Sequence, residues 1–315
     1  MPVLCCYRPM PLDEVQRVAD VMTSLLSCDL AQVPTELLLH RFLFLFKHQH
    51  SGLVPYKQCL RKRHINISSV TSCWKRHLRG TCEDRFGANA TKQQQCRDGL
   101  AAGWQAPGLT DSVSAAVKGY ATCVDELRRV YDQCSPHMVD LCASTGLRTA
   151  KTVRLTMASV ELMLDTMPNL RVLHLIRDPR AVALSRMVDP TYRAKRSTGK
   201  PVREAALYCD SVVRDIVVRQ RIERRRPGTV LQVLYDELVA DPQRIVANIY
   251  SFLNETIPAS VRDWLAKSSS GSGNPEKSLQ IAQKWQHKLS YRTAQSIGVA
   301  CRQLFGLIDY DWPAV

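Results

Sequence analysis

The stretch that decides the fold is LRVLHLIRDPRAVALSRM, residues 170–187. A short apolar run, RVLHLIR, is typical of a buried β-strand, and it ends at Arg177. The following DPRAVALSRM predicts a helix, because Pro179 lies where a first helical turn accepts proline. Ser185 follows within that helix. An arginine at the end of a buried strand, with a hydroxyl eight residues later, predicts a bound anion at the edge of a sheet.

The flanking segments extend this strand–helix pattern in both directions. Two more strands are predicted, TAKTVRL (149–155) and TVLQVLY (229–235). Apolar residues at helical spacing predict helices over 12–30, 156–168, 203–226, 242–254 and 290–305, and a core helix over the apolar 37–46. Strands alternating with helices are typical of the α/β class, so we expect a parallel sheet with right-handed crossovers.

The amino-acid composition limits the classes of ligand and partner that we expect for this chain. The 315 residues include 43 Lys+Arg against 29 Asp+Glu, a formal charge of +14, and such a surplus attracts polyanions. The sequence has no helix-turn-helix, zinc-finger or RNA-binding signature, so we expect no nucleic-acid partner. Metal-ligand spacings of the CxxC type are also missing, and we expect no metal.

Cysteines and sequons point to an oxidising compartment. Seven of the twelve cysteines fall between Cys59 and Cys142, which predicts disulfides in a lumenal protein. Three N-glycosylation sequons agree with that compartment; they begin at Asn66, Asn89 and Asn254. We expect a single domain over 1–315, with a cysteine-rich insertion over 52–145 containing short helices and a flexible loop over 267–276.

The decisive stretch closely resembles the 3′-phosphate-binding motif of sulfotransferases that use 3′-phosphoadenylyl sulfate (PAPS). The strongest likeness is to Golgi carbohydrate 6-O-sulfotransferases acting on galactose, N-acetylglucosamine or N-acetylgalactosamine. AKTVRL, VLYDELVADP and KWQHKLSY resemble further elements of that family, from about Leu12 to the C-terminus. The resemblance implies a P-loop-like sulfotransferase fold, PAPS as sulfate donor, a glycan or glycosaminoglycan acceptor, and a Golgi-lumen or Golgi-membrane location.

The resemblance also assigns residues. Arg177 and Ser185 would hold the 3′-phosphate of the nucleotide. Arg180 and Arg186 are weaker candidates, equally typical of charges on a helix surface. Trp285 would cover the cofactor or pack in the core. The last two candidates, Lys151 and Arg154, would face the sulfuryl group or lie in solvent.

One part of the family's machinery has no match in the sequence. The 5′-phosphosulfate loop follows the first strand, whereas CASTGLRTAKT (142–152) precedes a predicted strand. YRPMPL (7–12) resembles a family segment that follows this loop, so we expect the first strand and the loop upstream of residue 1, in an N-terminally truncated chain. Arg8 then replaces a glutamate that could act as base, and no catalytic residue is assigned. Poor PAPS binding and slow or absent transfer are the expected results.

Two alternatives remain open at this stage. A non-catalytic lumenal glycan-binding remnant of the fold would share the same motif.

The sequence also has no leader or membrane anchor, although full-length family members are expected to associate with membranes. The arginine-rich RQRIERRRPG (219–228) either interacts with a helix dipole or forms a track for an acidic glycan.

Overall fold

The computed structural model describes residues 11–39, 51–65, 68–78, 111–153, 155–188, 201–268 and 275–308. These residues fall into two units. Residues 17–153 belong to the first unit, and residues 11–16 together with 155–308 belong to the second. The described part of the cysteine-rich segment 52–145 lies in the first unit. Within the described residues, no helix is both long and apolar enough to cross a membrane.

Helices form the described chain from residue 12 to residue 143. They are α1 (Leu12–Leu26), α2 (Thr35–Leu38), α3 (Val54–Lys62), α4 (Ser69–His77), α5 (Asp111–Asp132) and α6 (Pro136–Ala143). The helix predicted over 12–30 is confirmed, with an earlier end at Leu26. Only the first residues of the helix predicted over 37–46 can be compared, because residues 40–50 lie outside the described residues.

Disulfides connect the helices of the first unit. Three connect described residues: Cys28–Cys142, Cys59–Cys134 and Cys73–Cys123. The predicted disulfides of this region are therefore confirmed. Closing long loops in this way stabilises a fold by restricting the unfolded chain. The core of the unit includes Tyr56 and Tyr131, whose rings meet edge to face with centroids 6.2 Å apart.

The helical content of this segment exceeds the prediction. Short helical pieces were expected, but α5 is a continuous helix of 22 residues. Val124 and Tyr131 of α5 are buried, and Leu127 packs against the same core as Tyr131. This apolar face, together with the disulfides at Cys123 and just after the helix at Cys134, explains the single long element.

The second unit contains the sheet. Its elements are α7 (Met157–Thr166), β1 (Val172–Ile176), α8 (Pro179–Val188), α9 (Pro201–Arg225), β2 (Val230–Leu234), α10 (Tyr235–Ala240), α11 (Pro242–Leu253), α12 (Ala259–Ser268), α13 (Pro275–Ala282), α14 (Trp285–Lys288), α15 (Tyr291–Ala300) and α16 (Arg302–Leu307). Strands β1 and β2 are parallel, with Val172 opposite Val230 and Ile176 opposite Leu234. The predicted α/β class and parallel pairing are confirmed.

The strand predicted over 149–155 is wrong for every residue of it that is described. Residues 149–153 and 155 have no strand structure, and 149–153 are exposed. Val153, for example, is 85% exposed. The alternation of branched and polar residues suggested a strand, but within the described residues no strand pairs with this segment and 149–153 bury no face. Residues 269–274 of the predicted flexible loop lie outside the described residues.

Local signals explain the helix boundaries in the second unit. The Thr156 hydroxyl accepts a hydrogen bond from the Ser159 N–H at 3.3 Å, which caps α7. Helix α9 ends shortly before Gly228, whose φ of +73° suits glycine. The single helix predicted over 290–305 is interrupted at Cys301, which forms a disulfide with Cys209 of α9. This disulfide lies in the main core of the unit, beside Ile216, Ile297 and Leu304.

Candidate functional site

The parallel pairing places the residues that follow β1 and β2 at the same edge of the sheet. Arg177 directly follows β1, and Tyr235 and Asp236 directly follow β2. Because the strands are in register, these residues are neighbours at the carboxyl edge, where ligands bind in parallel α/β sheets. The Arg177 guanidinium carbon lies 4.8 Å from the centroid of the Tyr235 ring. We call this group, with Arg186 and Tyr208, the strand-end site.

Arg177 lies beside the Tyr235 ring and close enough to Asp236 for its charge to lower the pKa of that carboxyl group. Its Nε is buried and has no hydrogen-bond partner within the described part of the chain. The Tyr235 ring contributes a cation–π contact. A buried N–H without a partner is costly, because it has lost its water without gaining an acceptor. An anion that accepted this hydrogen bond would remove that cost.

The main chain of Arg177 is held by one hydroxyl. The Tyr208 O–H of α9 donates to the Arg177 carbonyl at 3.1 Å, and the Arg177 N–H points back to the same oxygen at 3.5 Å. Burial raises the pKa of Tyr208, so the hydroxyl stays protonated at neutral pH. The Arg186 guanidinium carbon lies 5.7 Å from the centroid of the same ring. Tyr208 thus connects the end of β1 with the face of α8 that carries Arg186.

The sequence interpretation missed three members of this site, Tyr208, Tyr235 and Asp236, of which Asp236 is the acidic one. Burial and then the nearby Asp178 carboxylate raise its pKa, while an N–H of the Asp178 main chain and the Arg177 charge act in the opposite direction. Its Oδ2 is buried without a hydrogen-bond partner among the described residues. The signal was present in the sequence, because an acidic pair follows the strand TVLQVLY.

Arg180 has a different environment from the one expected for a helix-surface charge, and that expectation is wrong. Its side chain is fully buried and pairs with Asp178, with Nη2–Oδ2 at 2.7 Å and Nε–Oδ1 at 3.0 Å. Its guanidinium carbon also lies 3.8 Å from the Trp285 ring centroid and 5.5 Å from that of Phe305. A carboxylate and two rings therefore enclose this arginine.

The remaining predicted site residues are placed as follows. Trp285 is 3% exposed and packs with Ala181 and Ala294. Ser185 is exposed on α8. Lys151 is exposed in the first unit, and Arg154 lies outside the described residues.

Acidic residues of α7 form salt bridges with most of the arginines at the end of α9. We define the α9 arginine cluster as Arg219, Arg221, Arg224, Arg225 and Arg226. Glu161 pairs with Arg221 at 2.5 Å and with Arg225 at 3.3 Å, and Asp165 pairs with Arg226 at 3.0 Å. The hydrogen bond from Arg221 lowers the pKa of Glu161. Most of this cluster therefore joins two helices.

Comparison with known proteins identifies the family of this chain. Residues 62–259, more than half of the chain, match the family described as the sulfotransferase family. This chain belongs to the sulfotransferase family. The matched range includes β1, β2, Arg177 and Ser185, and the family predicted from residues 170–187 is confirmed.

Curated relatives of this sulfotransferase are named carbohydrate sulfotransferases. Human carbohydrate sulfotransferase 1 is 28% identical over 191 residues, which cover 54% of this chain and 46% of the relative. Human carbohydrate sulfotransferase 3 is 26% identical over 222 residues, covering 60% and 46%. The mouse carbohydrate sulfotransferase 4 match is 24% identical over 192 residues, covering 54% and 50%. The chain thus spans about half the length of these relatives. No solved structure matches it significantly.

Proposed function

We propose that this sulfotransferase transfers a sulfuryl group from PAPS to the 6-hydroxyl of a sugar in a glycan or glycosaminoglycan. The observation that carries the proposal is Arg177, held at the end of β1 with a buried Nε that lacks a partner in the described chain. The names of the curated relatives support a carbohydrate acceptor.

In this proposal the strand-end site binds the 3′-phosphate of the donor nucleotide. The Arg177 guanidinium donates to the phosphate oxygens, and the exposed Ser185 hydroxyl donates from α8. Tyr208 keeps the Arg177 main chain in place through its two hydrogen bonds. When bound, the donor supplies an activated sulfuryl group. Its transfer depends on positioning and charge stabilisation, as in phosphoryl transfer.

The remaining candidates have supporting roles in the proposal. Arg186 adds positive charge beside Tyr208, near the same phosphate. Trp285 acts through Arg180, because it packs against the guanidinium that pairs with Asp178. No described residue is assigned as the base that accepts the proton of the sugar hydroxyl.

We also propose that the protein works in the lumen of the Golgi. The four disulfides among the described residues support an oxidising compartment. The formal charge of +14 favours acidic glycans among the possible acceptors.

The test is a transfer assay with labelled PAPS. The protein is incubated with glycans ending in galactose, N-acetylglucosamine or N-acetylgalactosamine, each paired with its 6-deoxy analogue. The sequence predicts slow transfer, so the incubation is long, and we expect label in at least one glycan and none in the matching analogue. Arg177→Ala should lose the label, because the 3′-phosphate loses its main donor. Binding of both nucleotide and glycan without any transfer would contradict the proposal and would instead support a non-catalytic glycan-binding protein.

A further inference from the structure

One surface feature has no role in the sulfuryl-transfer site. Asn254, Glu255 and Thr256 form an N-x-T sequon directly after α11, and all three residues are exposed. Of the three sequons, this one lies wholly within the described residues, because Asn66 and Asn89 are outside them. Its geometry can therefore be compared with what a modification site requires.

The backbone of the sequon is satisfied without the asparagine side chain. Asn254 adopts the left-handed conformation, with φ 55° and ψ 40°, as the C-cap of α11. Its N–H donates to the Ser251 carbonyl at 3.0 Å, and the Glu255 N–H donates to the Tyr250 carbonyl at 2.9 Å. The Asn254 carboxamide makes no hydrogen bond in the described structure. A group attached to its Nδ2 would break no contact of the fold.

We propose that Asn254 carries an N-linked oligosaccharide. The donor class is an oligosaccharide linked to a lipid pyrophosphate. The Asn254 Nδ2 forms a bond to the anomeric carbon, the bond from that carbon to the pyrophosphate oxygen breaks, the lipid pyrophosphate leaves and Nδ2 loses one proton. The proposal rests on the lumenal location given with the proposed function, because this donor acts in the secretory pathway.

The position of the glycan separates it from the strand-end site. Helix α11 has 12 residues and begins at Pro242, close in sequence to α10 and the end of β2. At 1.5 Å per residue, its two ends are about 18 Å apart. We therefore expect removal of the glycan to leave nucleotide binding at Arg177 unchanged.

Peptide mapping tests the site directly. The protein is expressed from its own gene in eukaryotic cells and treated with peptide N-glycosidase in ¹⁸O-water. It is then digested with trypsin, which cleaves after Arg244 and Arg262. Peptide 245–262 should carry an ¹⁸O-labelled deamidation at position 254 and should be missing before enzyme treatment. Asn248 in the same peptide is the internal control, because no sequon follows it. An unmodified peptide before treatment would overturn the proposal.

Sequence variants distinguish an unmodified Asn254 from a protein that does not enter the lumen. Thr256→Ala should abolish the modification, whereas Thr256→Ser should retain it, because a hydroxyl is required at that position. Arg171→Thr completes a new sequon at Asn169, which is exposed in the turn before β1. A glycan at Asn169 with none at Asn254 would refute the Asn254 proposal alone. Absence of glycan at both positions would refute the lumenal location as well.

Discussion

The strand-end site and the α9 arginine cluster are both rich in arginine, but their arginines have different surroundings. At the strand-end site, Arg177 meets an aromatic ring and keeps a buried Nε without a hydrogen-bond partner in the described chain. In the α9 arginine cluster, Arg221, Arg225 and Arg226 pair with carboxylates of α7. The first arrangement leaves one N–H of an arginine without an acceptor in the described chain, whereas the second pairs arginines of one helix with carboxylates of another.

A count of charged residues in a sequence does not show which of them are paired in the folded protein. Five arginines within eight residues suggested a track for an acidic glycan. The acidic residues that match three of them lie about sixty positions earlier, on a helix brought close by folding. A positive segment therefore indicates a binding surface only after its partners are known. Four changes test the contrast.

The largest loss of stability is expected from a change of Arg180, which is fully buried although it belongs to the stretch 170–187. Arg180→Ala leaves the Asp178 carboxylate buried without its charged partner, so we expect a loss of about 3–5 kcal/mol in the free energy of unfolding. Denaturant unfolding measures it. The double change Asp178→Asn with Arg180→Met should recover much of the loss. A loss below about 1 kcal/mol for Arg180→Ala would show that this pair behaves like an exposed one.

A smaller effect on stability is expected from His174, which lies beside Arg219 of the α9 arginine cluster. Burial, with a further contribution from Arg219, lowers the pKa of His174 to about 4. The unfolded chain, with a histidine pKa of about 6.5, binds more protons at intermediate pH. Stability is therefore fully present above about pH 6.5 and falls as the pH decreases toward 4, by on the order of 2 kcal/mol at pH 5.

Unfolding at pH 5 and pH 7.5 isolates this contribution. His174→Gln should remove this part of the difference in unfolding free energy between the two pH values. Asp215, whose pKa burial raises to about 6, has the opposite pH dependence and is common to both proteins. An unchanged pH dependence in the variant would refute the role of His174.

Tyr208 gives the smallest of these effects, on binding rather than on stability. Tyr208→Phe keeps the ring beside Arg186 but removes both hydrogen bonds to the Arg177 main chain. At about 0.5–1.5 kcal/mol for a hydrogen bond, we expect the Kd for 3′,5′-adenosine bisphosphate to rise roughly 2- to 12-fold. Tyr250→Phe on α11 is the matched control. An equal change in both variants would mean that Tyr208 does not position Arg177.

Sequence alone predicted the parts of the fold that depend on local patterns. The strand before Arg177, the helix at Pro179 and the long α9 followed from periodicity and proline placement. Long-range partners were not predictable in the same way. The environment of Arg180 depends on Trp285, more than one hundred residues later, and the failed strand at 149–155 lacked a neighbour to pair with. The site residue Asp236 gains its raised pKa only when β2 pairs with β1.

The most direct test of the central claim compares one arginine from each region. Calorimetric titration with 3′,5′-adenosine bisphosphate is performed on the parent protein, Arg177→Ala and Arg225→Ala, with 5′-adenosine monophosphate as the ligand lacking a 3′-phosphate. We predict that Arg177→Ala weakens binding about 10- to 150-fold, because charge-assisted hydrogen bonds are lost, and that Arg225→Ala changes it less than about twofold. The Kd for the monophosphate should be the same in all three proteins. Equal losses from the two arginines, or an equal loss for both ligands, would contradict the assignment of the strand-end site to the 3′-phosphate.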